Sequence, residues 1–141
     1  MAITQSMVSS FKEEILNGTH NLTTDTIKIA LYTSSATLDS TTTVYSTSNE
    51  VSSSGTNYTA GGNTLTGQVV SLDGTTAIVD FSDTTWTAAT ITARGALIYN
   101  SSKSNKAIAV LDFGSDKTST SGNFTVNFPA AAAATAIVRI A

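Results

Sequence analysis

Apolar positions along this chain recur every second residue in short runs, with one exception near the start. Between Ser6 and Leu16 the residues Met7, Val8, Phe11 and Ile15 fall at helical spacing, while Lys12, Glu13 and Glu14 lie on the other side. This predicts a short amphipathic helix over 6–17, with Ser6 as N-cap and Gly18 after Asn17 as stop signal. A helix of three turns is marginal alone in water, so its stripe must lie against this subunit's sheet or against a partner.

From Ile27 onward the period is two. In IKIALYT, Ile27, Ile29 and Leu31 face one way and Lys28, Ala30 and Tyr32 the other, the pattern of a half-buried strand. Residues 34–66 lose the rhythm: Ser, Thr, Asn and Gly dominate, with isolated anchors at Leu38, Val44, Tyr45, Val51, Tyr58 and Leu65 and a tight turn at Gly61-Gly62-Asn63. The pattern predicts a long polar surface excursion with one or two short edge strands. Gln68 to Leu72 and Thr76 to Phe81, joined by a turn at Asp73-Gly74, predict a hairpin.

The longest apolar runs are TITARGALIYN and KAIAVLDFGSD, separated by SSKSN, and they predict a central hairpin over Thr90–Asp116. Ser82 to Ala89, carrying Trp86, leads into it, and Gly114 to Gly122 leaves it as a polar connector. Phe124, Val126 and Phe128 then alternate strictly, Pro129 stops the run, Ala130 to Ala134 predicts a tight connector, and AIVRIA supplies a last strand. The whole predicts one mainly β domain over residues 1–141, an antiparallel β-sandwich of jelly-roll type with one short N-terminal helix.

Composition narrows the function more than it names one. Charged residues make up 12% of the chain, Ser and Thr about a third, and hydrophobic residues 40%, so the folded surface is polar through hydroxyls rather than charges. A net charge of −3, with the basic residues scattered, argues against a nucleic-acid partner. With no cysteine there are neither disulfides nor thiolate metal sites. No apolar run reaches transmembrane length, and MAITQSMVSS has neither the basic nor the apolar segment of a signal peptide, so the expected product is a soluble chain with no membrane partner.

Residue types that carry chemistry are sparse. His20 is the sole histidine, in a turn between helix and first strand, with no nucleophile-elbow motif to make it part of a triad; a surface or turn histidine is the expectation. The pairs Asp80 with Asp83 and Asp112 with Asp116 have the composition of a glycosidase site, but their neighbours suit Asp as a turn former. Gly61-Gly62 lacks the Lys-Ser/Thr ending of a phosphate loop, and no calcium-loop pattern occurs. No catalytic residue, cofactor or metal is expected. Tyr45, Tyr58 and Trp86 are candidates for a surface that stacks on sugars, against the alternative that they anchor loops to the core. Arg94 and Asp112 fall where an ion pair between neighbouring strands is expected.

Several stretches together are familiar: FKEEILNGTHNLTTDTIKIALYTSSATL, YTAGGNTLTG, AIVDFSDTTW, ITARGALIYNSS, AIAVLDFGSDKTSTSGNFTVNFP and the terminal AIVRIA. They resemble a family of small virion structural proteins of tailed bacteriophages, including phages of cyanobacteria and marine bacteria, and the resemblance spans nearly the whole chain. It implies a non-enzymatic particle component made in the host cytoplasm, foremost a head decoration or cement protein on the outer capsid. Its implied partners are further copies of itself, as a trimer, and the phage major capsid protein. The alternative is a tail or fibre-tip module that binds host surface glycans. For subunit or capsid contact the candidates are Met7, Val8, Phe11 and Ile15 on the helix, together with the 34–66 excursion.

Overall fold

The computed structural model describes residues 2–141 and is organised on one long hairpin. In chain order the elements are β1 (Ser6–Met7), α1 (Ser9–Leu16), β2 (Ile27–Tyr32), β3 (Asn63–Thr64), β4 (Val69–Asp73), β5 (Thr76–Asp80), β6 (Thr84–Asn100), a 3-10 turn (Ser101–Lys103), β7 (Lys106–Val126) and β8 (Val138–Ile140). They form a β-sandwich of two antiparallel sheets, ordered β1-β7-β6-β2-β3 and β4-β5-β8. The mainly β class and the single short helix match the alternation in the sequence.

The central hairpin is longer than its apolar runs. Its ladder runs from Asn100 paired with Lys106 to Thr84 paired with Val126, so the stretch Gly114 to Gly122 is strand and not connector. Register shifts between Trp86 and Ala89, Ala89 and Ile91, and Ala93 and Gly95 bend the ribbon, with Ala88, Gly114 and Ser121 at positive φ. The physical reason is the division of labour along β6. Its first half buries Trp86, Ala89, Ile91 and Ala93 on one face only, so β7 opposite needs little apolar character there, and Thr suits an exposed strand. The second half, Gly95–Asn100, lies between β2 and β7 and is buried on both faces. For the same reason β2 is not half-buried: apart from Lys28, both of its faces are covered.

The N-terminus corrects the expected helix. Ser6 and Met7 pair with Val110 and Ala109, and the Val8 N–H donates to the Ile108 carbonyl at 3.0 Å. The backbone therefore stays extended through Val8, which occupies the N-cap position of α1 without a side-chain cap, while the Ser6 hydroxyl donates to the Met7 carbonyl. Val8 and Phe11 are wholly buried in the subunit's own core, and Met7 and Ile15 pack partly buried against it. The stripe offered for contact with another subunit is thus internal, and the apolar residue that α1 does expose is Leu16.

The 34–66 stretch is likewise not a loose excursion. Leu38, Val51, Tyr58 and Leu65 are buried, and bridges from Leu38 to Ile3, Glu50 to Tyr32 and Val44 to Lys106 tie it down, with β3 as its one short edge strand. It covers the sheet face bearing Tyr32 and Tyr99, while α1 and His20 lie on the opposite face beside Asn100. The β4-β5 hairpin closes with Asp73 paired to Thr76, so the turn residues are Gly74 and Thr75, one position later than expected. Gly74 takes the left-handed φ of 62° that the turn requires. The alanine run after Pro129 is a turn, and β8 joins β5 at the edge of the small sheet.

Candidate functional site

The largest polar cluster gathers on the helix side of the large sheet. His20 is buried rather than at the surface, its Nε2 2.9 Å from Glu14 Oε1 and its Nδ1 3.0 Å from Asn100 Nδ2. The same Asn100 Nδ2 donates to Asp25 Oδ2 at 2.8 Å, and Asn100 Oδ1 accepts the Ser102 N–H at 3.0 Å, capping the 3-10 turn. Lys106 Nζ lies 3.5 Å from Glu14, and Lys103 Nζ 3.6 Å from Asp25. Burial pushes the Asp25 carboxyl up, but the Asn21 N–H, the Asn100 amide and the Lys103 ammonium outweigh it and hold the group below the ordinary aspartate range. Both ring nitrogens of His20 are engaged by Glu14 and Asn100, which leaves no lone pair to activate a hydroxyl. The cluster ties α1, the turn before β2 and the β6-β7 connection together, and it has the make-up of a structural network.

A second cluster holds the 34–66 segment. All four tyrosines of the chain converge around Glu50. Tyr45 donates to Glu50 Oε1 at 2.7 Å, Tyr58 to Oε2 at 2.6 Å, and the Gly61 N–H to Oε2 at 2.8 Å. Tyr58 Oη also accepts the buried Leu31 N–H at 2.9 Å, Tyr99 donates to the Gly61 carbonyl and Tyr32 to the Ser46 carbonyl, each at 2.6 Å. Tyr45 stacks on Tyr99 with ring centroids 4.6 Å apart. Burial, followed by the Glu50 charge, pushes Tyr99 up to about 12 and Tyr32 higher still; in Tyr45 and Tyr58 the hydrogen bond to Glu50 adds to burial.

This geometry removes the sugar-stacking platform. Tyr58 and Trp86 are buried with their rings 5.9 Å apart, Trp86 packs edge-on against Phe124 at 6.1 Å, and Tyr45 is partly buried under its stack. The three are loop and ribbon anchors. In each carboxylate pair one member is tied to the framework: Asp83 accepts the Phe128 N–H at 2.8 Å, and Asp112 accepts from Arg94 Nε at 3.2 Å and from the Gly114 N–H at 2.9 Å. The Arg94–Asp112 pair is the cross-strand contact the sequence suggested. Among the described residues no group of His, Cys, Asp or Glu is arranged to hold a metal ion, and no helix is long and apolar enough to cross a membrane.

The feature with most capacity for binding is the small sheet. By register, Val70, Leu72, Ala77, Val79, Val138 and Ile140 share its inner face, yet only Val79 and Val138 are buried. Leu72 is 72% exposed, Val70 48% and Ile140 45%, and Val69 on the outer face is 57% exposed. Between this face and Phe11, Ile15 and Leu22 runs an apolar groove of about 390 Å³. Nothing in the sequence separated this strand from the buried ones, because its alternation is the same. Neither Asn100 nor Glu50 carried a local signal, since the partners of each lie far away along the chain. Compared with family models, curated proteins and solved structures, the chain matches none.

Proposed function

We propose that this chain is a non-enzymatic structural component of a tailed-phage virion, a head decoration or cement protein seated on the outer capsid. The sequence stretches quoted above support the lineage. The observation that carries the role is the partly open apolar face of the small sheet, set on a body whose two polar clusters, around Asn100 and around Glu50, are bound within themselves. A cement protein needs a stiff subunit, an apolar surface for its neighbours and a solvent face that stays inert. The stapled 34–66 segment supplies the stiffness, the β4 side the surface, and the hydroxyl-rich ribbon of β6 and β7 the solvent face.

The test is location and copy number in purified particles. Quantitative mass spectrometry together with antibody labelling should return a copy number that scales with the capsid lattice, with label over the head. Label confined to the tail, at a copy number set by tail symmetry, would instead assign the chain to host recognition.

A further inference from the structure

We infer that two copies of this chain pair through β4, edge to edge and antiparallel, with a twofold axis at Ser71. β4 is the outer strand of its sheet, and hairpin geometry fixes which of its backbone groups are free. Asp73 with Thr76 closes a two-residue turn and exchanges both hydrogen bonds, as do Ser71 with Ile78 and Val69 with Asp80 in alternation. The N–H and C=O groups of Val70 and Leu72 therefore point away from β5, and among the described residues they meet no backbone partner. Apart from Asp73 at its end, whose carboxylate accepts the Ala133 N–H, the edge lacks the usual protections: Val69–Asp73 contains no Pro, no Lys and no bulge.

A second copy of the same strand satisfies this edge in one register. Centred on Ser71, an antiparallel pair sets Val70 opposite Leu72 of the other copy on both sides of the axis, and each pair exchanges two hydrogen bonds. The four apolar side chains then form one stripe across the inner face of a continuous six-stranded sheet and extend the wall of the groove. At the axis the two Ser71 residues form the closer, non-hydrogen-bonded pair, where a small hydroxyl side chain fits and bonds its equivalent. Charge selects the direction. Asp73 is the single charged residue of the strand, and antiparallel pairing puts the two carboxylates at opposite ends, each facing Val69, whereas parallel pairing would set them side by side. The contact closes at two copies and stands independently of the virion reading.

The chain has no cysteine, so one introduced residue reports the register. Ser71→Cys should cross-link to a covalent dimer under mild oxidation much faster than Ser53→Cys in the exposed part of the 34–66 segment. Sedimentation of the wild-type chain should show a dimer growing with concentration, and Leu72→Lys, at a mostly exposed position, should weaken it by about tenfold or more while leaving the circular dichroism unchanged. A wild-type chain that stays monomeric, a Ser71→Cys variant that cross-links no faster than the control, or an oligomer whose mass Leu72→Lys leaves intact would each overturn the pairing.

Discussion

Asn100 and His20, 80 positions apart, are joined by a hydrogen bond of 3.0 Å that fixes the tautomer of the ring. Asp25 and the Ser102 N–H hold the Asn100 amide in one orientation, with nitrogen toward His20 and oxygen toward the turn. Nδ1 of His20 must then accept, and Nε2 carries the proton that it donates to Glu14. Asn100→Leu keeps the volume but leaves His20 Nδ1, the Asp25 carboxylate and the Ser102 N–H without their partner. Stability should fall by about 1–3 kcal/mol, chiefly through His20 Nδ1, the buried acceptor left unpaired, because Asp25 keeps the Asn21 N–H and Lys103, and Ser102 is exposed. Urea denaturation of the variant beside wild type measures it.

Acid should loosen the same cluster through Asp25. Its folded carboxyl is held below the ordinary aspartate value, so it stabilises the fold above that value, and the contribution disappears as pH falls through the folded one. Wild-type stability should drop below about pH 4. Asp25→Asn should start less stable at neutral pH and lose less on acidification, a difference read from denaturation midpoints across the acid range.

Tyr58→Phe tests the Glu50 staple. The hydroxyl donates to Glu50 and accepts from the Leu31 N–H, so its loss strips one hydrogen bond from a carboxylate and orphans a buried backbone donor. The expected cost is about 2–4 kcal/mol, with the fold retained.

Alkali should act on all four tyrosines together. Their folded values are raised, so the stability they contribute is complete below the ordinary tyrosine value near 10 and is lost as pH climbs toward the folded values. Tyrosinate absorbance should therefore rise late and in step with unfolding. A separate rise near pH 10 before the fold is lost would contradict the burial of these rings.

Gly62→Ala should be among the most damaging single changes. Gly62 has φ +78°, and a Cβ there would lie 1.8 Å from the Ile29 carbonyl oxygen, inside the β2-β3 contact. Backbone cannot yield as a side-chain tip can, so a loss of about 3 kcal/mol or more is expected in thermal or urea unfolding. Gly74→Ala carries the strained φ without the collision and should cost less.

The helix gives a paired prediction. Phe11→Asp places a charge where the side chain is wholly enclosed, and it should abolish the fold rather than merely dissociate an oligomer. Leu16→Asp, at a position 89% exposed, should leave the circular dichroism and denaturation midpoint nearly unchanged.

Periodicity in the sequence placed the helix and most of the strands, because alternation and 3.6-residue spacing are local consequences of one buried face, but it missed Ser6–Met7 and Gly114 to Gly122, which are strand. The strand-connector-strand of the central hairpin and a turn at Gly74 follow from backbone preferences of single residues and were legible for that reason, although the turn falls one position later than Asp73-Gly74 and β7 ends at Val126, before Pro129 is reached. Tertiary structure decided what each apolar face meets. Val8 and Phe11 lie inside because β7 draws the N-terminus into the sheet, and Gly114 to Gly122 is strand because β6 supplies the apolar half of the ribbon. Tyr58 and Trp86 anchor rather than display, since the 34–66 segment folds back over β2 and β6. Asn100 and Glu50 became the centres of the two polar networks only when distant segments met around them. A residue's own neighbours fix its preferred backbone. Burial and hydrogen-bond partners depend on register between segments far apart, which no local pattern encodes.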